Sequence, residues 1–276
     1  MLNLEHTINS GQVFLWERYG SKWYGIHGDD VLLVDQSNPE IVVSYSGEKY
    51  DLFRQSDNFN KVIREIAKDA IIKEATKRFA GMRLLRQDPF QCYISFIVSA
   101  NSNIQNIRLS LYKLAKKFGK KVRFDGKEFF LFPDAKKISS ASISGISSCG
   151  LGYRAKYVHA ASEAVRSGAI DLELLKKSDY HTARDELCKI DGIGNKVADC
   201  IMLFSLEKTD AFPLDRWMLR ALHNYYPGRF TVDNKSLTER RYHILHDELR
   251  EYFGTYAGYC QQFLFKMIRD SNQKRW

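Results

Sequence analysis

"DGIGNKVADC", residues 191–200, sets two glycines and then a lysine at the mouth of an apolar helix. The preceding "ARDELCKI" (183–190) and the following "NKVADCIMLFSL" (195–206) both read as helix, so the segment is a helix-hairpin-helix. Gly192 and Gly194 permit the turn and leave amide N–H groups uncovered at the start of a helix. Such donors make a site for a phosphate oxygen. The spacing is not that of a P-loop, which needs G-x-x-x-x-G-K-[ST]. A tight corner between two helices is the plainer alternative.

Lys196 bears on that choice. A helix N-terminus carries partial positive charge and is a poor place for an ammonium. Together with partial burial it favours the neutral amine, which is a nucleophile able to form a Schiff base. Nineteen residues on, "FPLDRWMLRAL" (212–222) puts Asp215 just before another helix. It reads as an N-cap, or as a carboxylate that stabilises a cationic sugar and shuttles protons.

Composition sets the frame. The 276 residues are 44% hydrophobic and 13% aromatic, enough for a sizeable core in one or two domains. A net charge of +9 favours a polyanionic partner, nucleic acid first among them. Five cysteines (Cys92, Cys149, Cys188, Cys200, Cys260) lack any C-x-x-C spacing, so neither a disulfide frame, a zinc site nor an iron–sulfur cluster is expected. That usage suits a reducing, intracellular setting. "MLNLEHTINSGQ" at the start has no basic-then-apolar pattern of a signal peptide, and no segment approaches the ~20 apolar residues of a membrane span.

The first fifty residues read as short strands: "QVFLWERYG", "KWYGIHGD", "DVLLVDQ" and "EIVVSYSG", with hairpins at Gly20-Ser21 and Gly28-Asp29-Asp30. A helical stripe begins near residue 60 in "NKVIREIAKDAIIKEATKRFAG". Helices follow in "PFQCYISFIVSA", "IQNIRLSLYKLAKKFG" and "YRAKYVHAASEAVRSG", then around 180–189, 195–206, 216–225, 236–253 and 256–270. The stretch 120–148 reads as a loop with a short strand or turn. The fold class is α+β: an N-terminal antiparallel sheet unit packed on a mostly helical body. The division expected is 1–85 and 86–276, with the hairpin at about 187–206.

"GIGNKVADC" with "PLD" downstream resembles the helix-hairpin-helix DNA glycosylases, and more closely the 8-oxoguanine DNA glycosylases with an N-terminal β domain. The similarity runs through "SGQVFLW" (10–16), "RLLRQDPFQCYISFIVSANSNI" (83–104), "LGYRAKYV" (151–158), the hairpin, and "YAGYCQQFLF" (256–265). It implies duplex DNA containing 8-oxoguanine as substrate, with the damaged nucleotide swung out of the stack. Lys196 would attack C1′, displace the base and nick the strand by β-elimination, while Asp215 stabilises the developing charge.

The resemblance also assigns a base pocket. Cys200, four residues after Lys196, would pack on one face of the base and Phe265 on the other, with Gln261 on its Watson–Crick edge. Gly11 would offer its carbonyl to N7–H, which the oxidised base has and guanine lacks. On the duplex side, Asn101 would face the orphaned partner base, Tyr153 would wedge into the stack, and Arg154 would contact the partner base or backbone. Read without the resemblance, Cys200 and Phe265 suit a core, Gly11 a turn, and the others a polar surface. No cofactor is implied, a monovalent cation at the hairpin stays open, and a monomer associated with DNA is expected (cytoplasm or nucleoid in a prokaryote).

Two positions depart from the family pattern. Asn106 stands where better-known members carry an arginine that reads the opposite cytosine, and Trp217 where many have a histidine. Another helix-hairpin-helix glycosylase, for alkylated or other oxidised bases, and a DNA-binding module without catalysis are the rival readings. Lys196 speaks against the alkylated-base enzymes, since those lack a lysine at the hairpin.

Overall fold

Helix starts organise this chain. The computed structural model describes residues 2–232 and 237–272. A short helix α1 (Leu4–Ile8) leads into an antiparallel sheet of order β1-β2-β3-β4, formed by Trp16–Tyr19, Lys22–His27, Asp30–Asp35 and Val42–Ser44. Pairing Tyr19 with Lys22 and His27 with Asp30 closes two-residue hairpins at the expected turns. The strand expected from residue 12 pairs only from Trp16. Gln12 is fully buried, and its side chain is bound to Thr7 and Arg83 carbonyls and to the Leu85 amide, which fixes that stretch as a loop. The α1 helix was not legible, because five residues carry too little period to read.

The helical stripe near residue 60 resolves into α2 (Phe59–Ile66) and α3 (Ala70–Arg78). Asp69 breaks it by capping the Ile72 amide at 2.9 Å. The body continues with α4 (Pro89–Ser99) and α5 (Ile104–Phe118), then a hairpin of β5 (Lys121–Phe124) and β6 (Lys127–Phe130) inside the expected loop. After it come α6 (Ala135–Ser139), α7 (Ile143–Ile146), α8 (Ala155–Arg166) and α9 (Leu172–Lys177). The last five are α10 (Tyr180–Cys188), α11 (Asn195–Ser205), α12 (Arg216–Tyr225), α13 (Glu239–Phe253) and α14 (Ala257–Ser271). The helix expected from 236 begins at Glu239; position 236 itself lies outside the described residues.

Apolar sequence decides what is central. Residues Gln91–Val98 of α4 and Val197–Ser205 of α11 are buried throughout, so both helices run through the core and α11 reaches the surface only at its first turn. The N-terminal sheet keeps a second cluster around Trp16, Trp23, Leu32 and Phe53. A polar tie joins the N-terminal part to the body: Arg54 with Glu207 at 2.7 Å.

Candidate active site

Most described helices begin on an Asn, Asp, Ser or Thr whose side chain accepts an amide of the first turn, as Asp88 does for α4 and Asp179 for α10. Helices α8 and α14 instead continue from 3-10 turns at Gly152–Arg154 and Gly254–Tyr256. Helix α11 starts from the hairpin itself, with Gly194 at the N-cap and no side chain over its end. The bare amides are therefore available to an outside acceptor. The two glycines serve different ends. Gly192 has φ +91°, and a Cβ there would stand 2.5 Å from the Tyr157 ring. Gly194 has open space around it, so its lack of a side chain clears the approach to α11.

Lys196 is half-buried in that first turn, its Nζ 5.5 Å from the centre of the Phe96 ring. Cys200 lies one turn further in, 4% exposed. Burial pushes its thiol up to about 12, against the charge of nearby Lys196, while Asp215 adds to the rise. The thiol is thus neutral, an apolar surface rather than a thiolate. Asp215 does cap α12, accepting the Met218 amide at 2.8 Å. It is half-buried, and its charge also reaches Cys200 and Arg269. The capping and catalytic readings of Asp215 are compatible.

Helix α14 packs against α12, the helix that Asp215 caps. Gln261 and Gln262 are both buried, and each holds a different loop. Gln261 donates from Nε2 to the Pro213 carbonyl at 3.3 Å, two residues before Asp215. Gln262 donates to the Ser10 carbonyl at 2.9 Å, next to Gly11. Gly11 has φ +89°, and a Cβ there would lie 3.1 Å from Phe265 Cε1 and 2.8 Å from Arg269 Nη1. Gly11, Phe265 and the Asp215 loop thus meet around one helix. Beside them opens a cavity of about 320 Å³ lined in part by Gly11, Ile104, Arg108 and Arg269. Gln261 Oε1 is buried without a hydrogen-bond partner among the described residues.

Sequence reading missed Gln12, Gln262 and Arg269. Arg269 follows Phe265 by four residues and sits 5.4 Å from its ring, a spacing that could have found it. The duplex-side residues divide. Asn101 is exposed at φ +50° and donates to the Tyr153 hydroxyl at 3.3 Å, and Tyr153 is 56% exposed. Arg154, read from sequence as a contact to the partner base or backbone, turns its guanidinium inward. It donates to the Val98, Ala100 and Leu151 carbonyls at 2.9, 3.0 and 3.1 Å, and so braces the segment that presents Asn101. Asn106 is exposed in the first turn of α5. Trp217 carries the Arg220 guanidinium 5.0 Å over its ring.

Residues 1–93 match the family model of the 8-oxoguanine DNA glycosylase N-terminal domain, and residues 94–244 that of the HhH-GPD superfamily base excision DNA repair proteins. The chain belongs to the 8-oxoguanine DNA glycosylases of the HhH-GPD superfamily. Among relatives of this family, the N-glycosylase/DNA lyase OGG1 of Arabidopsis thaliana is 30% identical over 96% of this chain and 76% of its own length. A probable N-glycosylase/DNA lyase of Methanothermobacter thermautotrophicus is 33% identical over 69% of this chain, a match spanning 64% of that protein. The Clostridium acetobutylicum 8-oxoguanine glycosylase/lyase, solved with double-stranded DNA containing cytosine opposite 8-oxoG, superposes with a TM-score of 0.87 at 32% identity. That superposition covers 98% of this chain and 93% of the clostridial one. Among the described residues no helix is long and apolar enough to cross a membrane.

Proposed function

We infer that this protein is a bifunctional DNA repair enzyme that excises 8-oxoguanine from duplex DNA and then nicks the strand. The observation that carries the reading is the unpartnered Oε1 of Gln261, buried on α14 one turn before Phe265, the ring that lies against Gly11. A buried acceptor left alone costs about 1–3 kcal/mol, which a donor on a bound base would relieve. The Watson–Crick edge of a guanine-type base offers N–H donors, whereas adenine presents an acceptor at N1. Gly11 at a left-handed φ allows the backbone to come close to the other edge, where only the oxidised base has a donor.

Chemistry follows from the elements already placed. The nucleotide leaves the stack, since its sugar is unreachable within the duplex. The Lys196 amine forms a bond to C1′ as the bond from C1′ to the base breaks, and the base departs with a proton. The adduct opens to an imine, C2′ loses a proton, and the C3′–O bond breaks with the phosphate as leaving group. Asp215 stabilises the positive charge that builds at the sugar. The open amides of α11 and the hairpin take a phosphate of the same strand. An intracellular, DNA-associated location belongs to this reading.

The test is borohydride trapping on a duplex with one 8-oxoguanine. Wild-type protein should yield a covalent adduct and a nicked strand. Lys196→Gln should yield neither while binding the duplex with similar affinity. Efficient nicking by Lys196→Gln would remove the Schiff base from the mechanism.

A further inference from the structure

Lys196 and Asp215 stand on different helices, and the connection between them (206–214) has no regular structure. Something other than local geometry must set their separation. Beneath the site lies a buried polar cluster that the chemistry above does not use. Asp199, one turn after Lys196 on α11, is 0% exposed and accepts hydrogen bonds from the Tyr180 hydroxyl at 2.6 Å and from the Tyr242 hydroxyl. The same Tyr242 hydroxyl accepts the Leu214 amide at 3.2 Å, the residue just before Asp215. One oxygen therefore connects the helix of the lysine to the loop of the aspartate.

One turn along α13, His246 Nε2 accepts the Phe212 amide at 3.3 Å. Burial pushes this imidazole down to about 3, which keeps it neutral and able to accept. Pro213, between those two, has no N–H to place, and its carbonyl takes Gln261 Nε2. Each backbone donor of Phe212-Pro213-Leu214 is thus met by a side chain of α13. The packing of a core alone would not need a carboxylate here, since burying one is costly.

We propose that Tyr242 and Asp199 are positioning residues of the reaction: they hold Asp215 at the distance from Lys196 that charge stabilisation needs. The proposal rests on the glycosylase reading. Tyr242→Phe keeps the ring but leaves the Leu214 amide and one carboxylate oxygen unmet, which lets the Asp215 loop relax. A shift of ~1 Å at a reacting group slows chemistry by roughly 100-fold.

The experiment is single-turnover excision of 8-oxoguanine, with duplex affinity measured separately, for Tyr242→Phe in two backgrounds. In the wild-type background the excision rate should fall roughly ten- to hundredfold with Kd changed less than about twofold. In the Asp215→Asn background the same change should cost less than about twofold, because there is no carboxylate left to position. Asp199→Asn, similar in shape, should repeat the pattern and stands in for Tyr242→Phe if that variant does not fold. Equal losses in both backgrounds, a loss confined to Kd, or no loss at all would overturn the positioning role. Absence of excision by the unmodified enzyme would instead overturn the glycosylase reading itself, and this proposal with it.

Discussion

Arg269 brings its Nη1 to 2.8 Å from the point where a Cβ on Gly11 would stand, so the first loop of the chain and its last helix are fitted to a glycine. The nearby Phe265 edge, at 3.1 Å, has less freedom to withdraw than a guanidinium tip. Gly11→Ala should therefore displace Phe265, the ring on which the proposed function stacks the base. The left-handed φ adds a strain of about 1–3 kcal/mol. We expect 8-oxoguanine excision to slow by about tenfold or more, and Arg269→Ala in the same chain to restore only part, because Phe265 and the backbone strain remain. Single-turnover rates of the three variants check this; full recovery in the double variant would mean that Arg269 alone demands the glycine.

Asp215 caps α12 and, in the proposed reaction, stabilises charge at the sugar; the two roles separate by substitution. Asparagine is as good a cap as aspartate, so Asp215→Asn should melt close to wild type while excision falls by roughly 100- to 1000-fold. Asp215→Ala should lose a further ~1 kcal/mol of stability. Thermal melts alongside excision assays decide it, and a wild-type rate in Asp215→Asn would leave only the capping role.

Asn106 is short, uncharged and exposed at the start of α5, its amide held by Asn103 Oδ1 at 2.8 Å. A guanidinium there would offer a charged fork of donors to cytosine, which an amide cannot match. With Arg154 turned inward, excision should depend weakly on the base opposite the lesion. Asn106→Arg should raise the preference for cytosine by one good bidentate contact, about 1–3 kcal/mol or roughly one to two decades in rate. Four duplexes differing only in the partner base give the answer. A preference of several hundredfold in wild type, unaltered in Asn106→Arg, would show that other residues read the partner.

The buried cluster predicts a pH signature in stability. Burial raises the Asp199 carboxyl to about 7, although the Tyr180 and Tyr242 hydroxyls and the charges of Arg184 and Arg250 pull it down. From ~4 to ~7 the unfolded group ionises while the folded one keeps its proton, so its stabilisation is full below ~4 and lost as pH rises toward 7. His246 acts in the opposite sense: held down at about 3, it loses stabilisation as pH falls below ~6.5. Asp199→Asn removes the first effect. Relative to wild type, the variant should lose up to a few kcal/mol as pH goes from 7 to 4, read as a widening gap in Tm. A gap that stays constant across that range would show that the folded Asp199 titrates like an ordinary carboxylate.

What the sequence determined by itself was local. Glycines that need a left-handed backbone, side-chain caps and two-residue hairpins all act within a few residues, so Gly192 and Asp215 were readable from the chain, while the Gln261/Phe265 face came from the family resemblance. The length and apolar character of α11 likewise announced a core helix with one exposed end. Only the tertiary structure decided which of these pieces meet. Gln262 reaches Ser10 from the far end of the chain, Arg154 bonds inward to Val98 and Ala100, and Tyr242 joins Asp199 to Leu214. These are hydrogen bonds of buried groups, and which donor meets which acceptor depends on how helices pack, not on any period along them. Periodicity shows that a residue is buried; it does not show what a buried carboxylate or hydroxyl will find there.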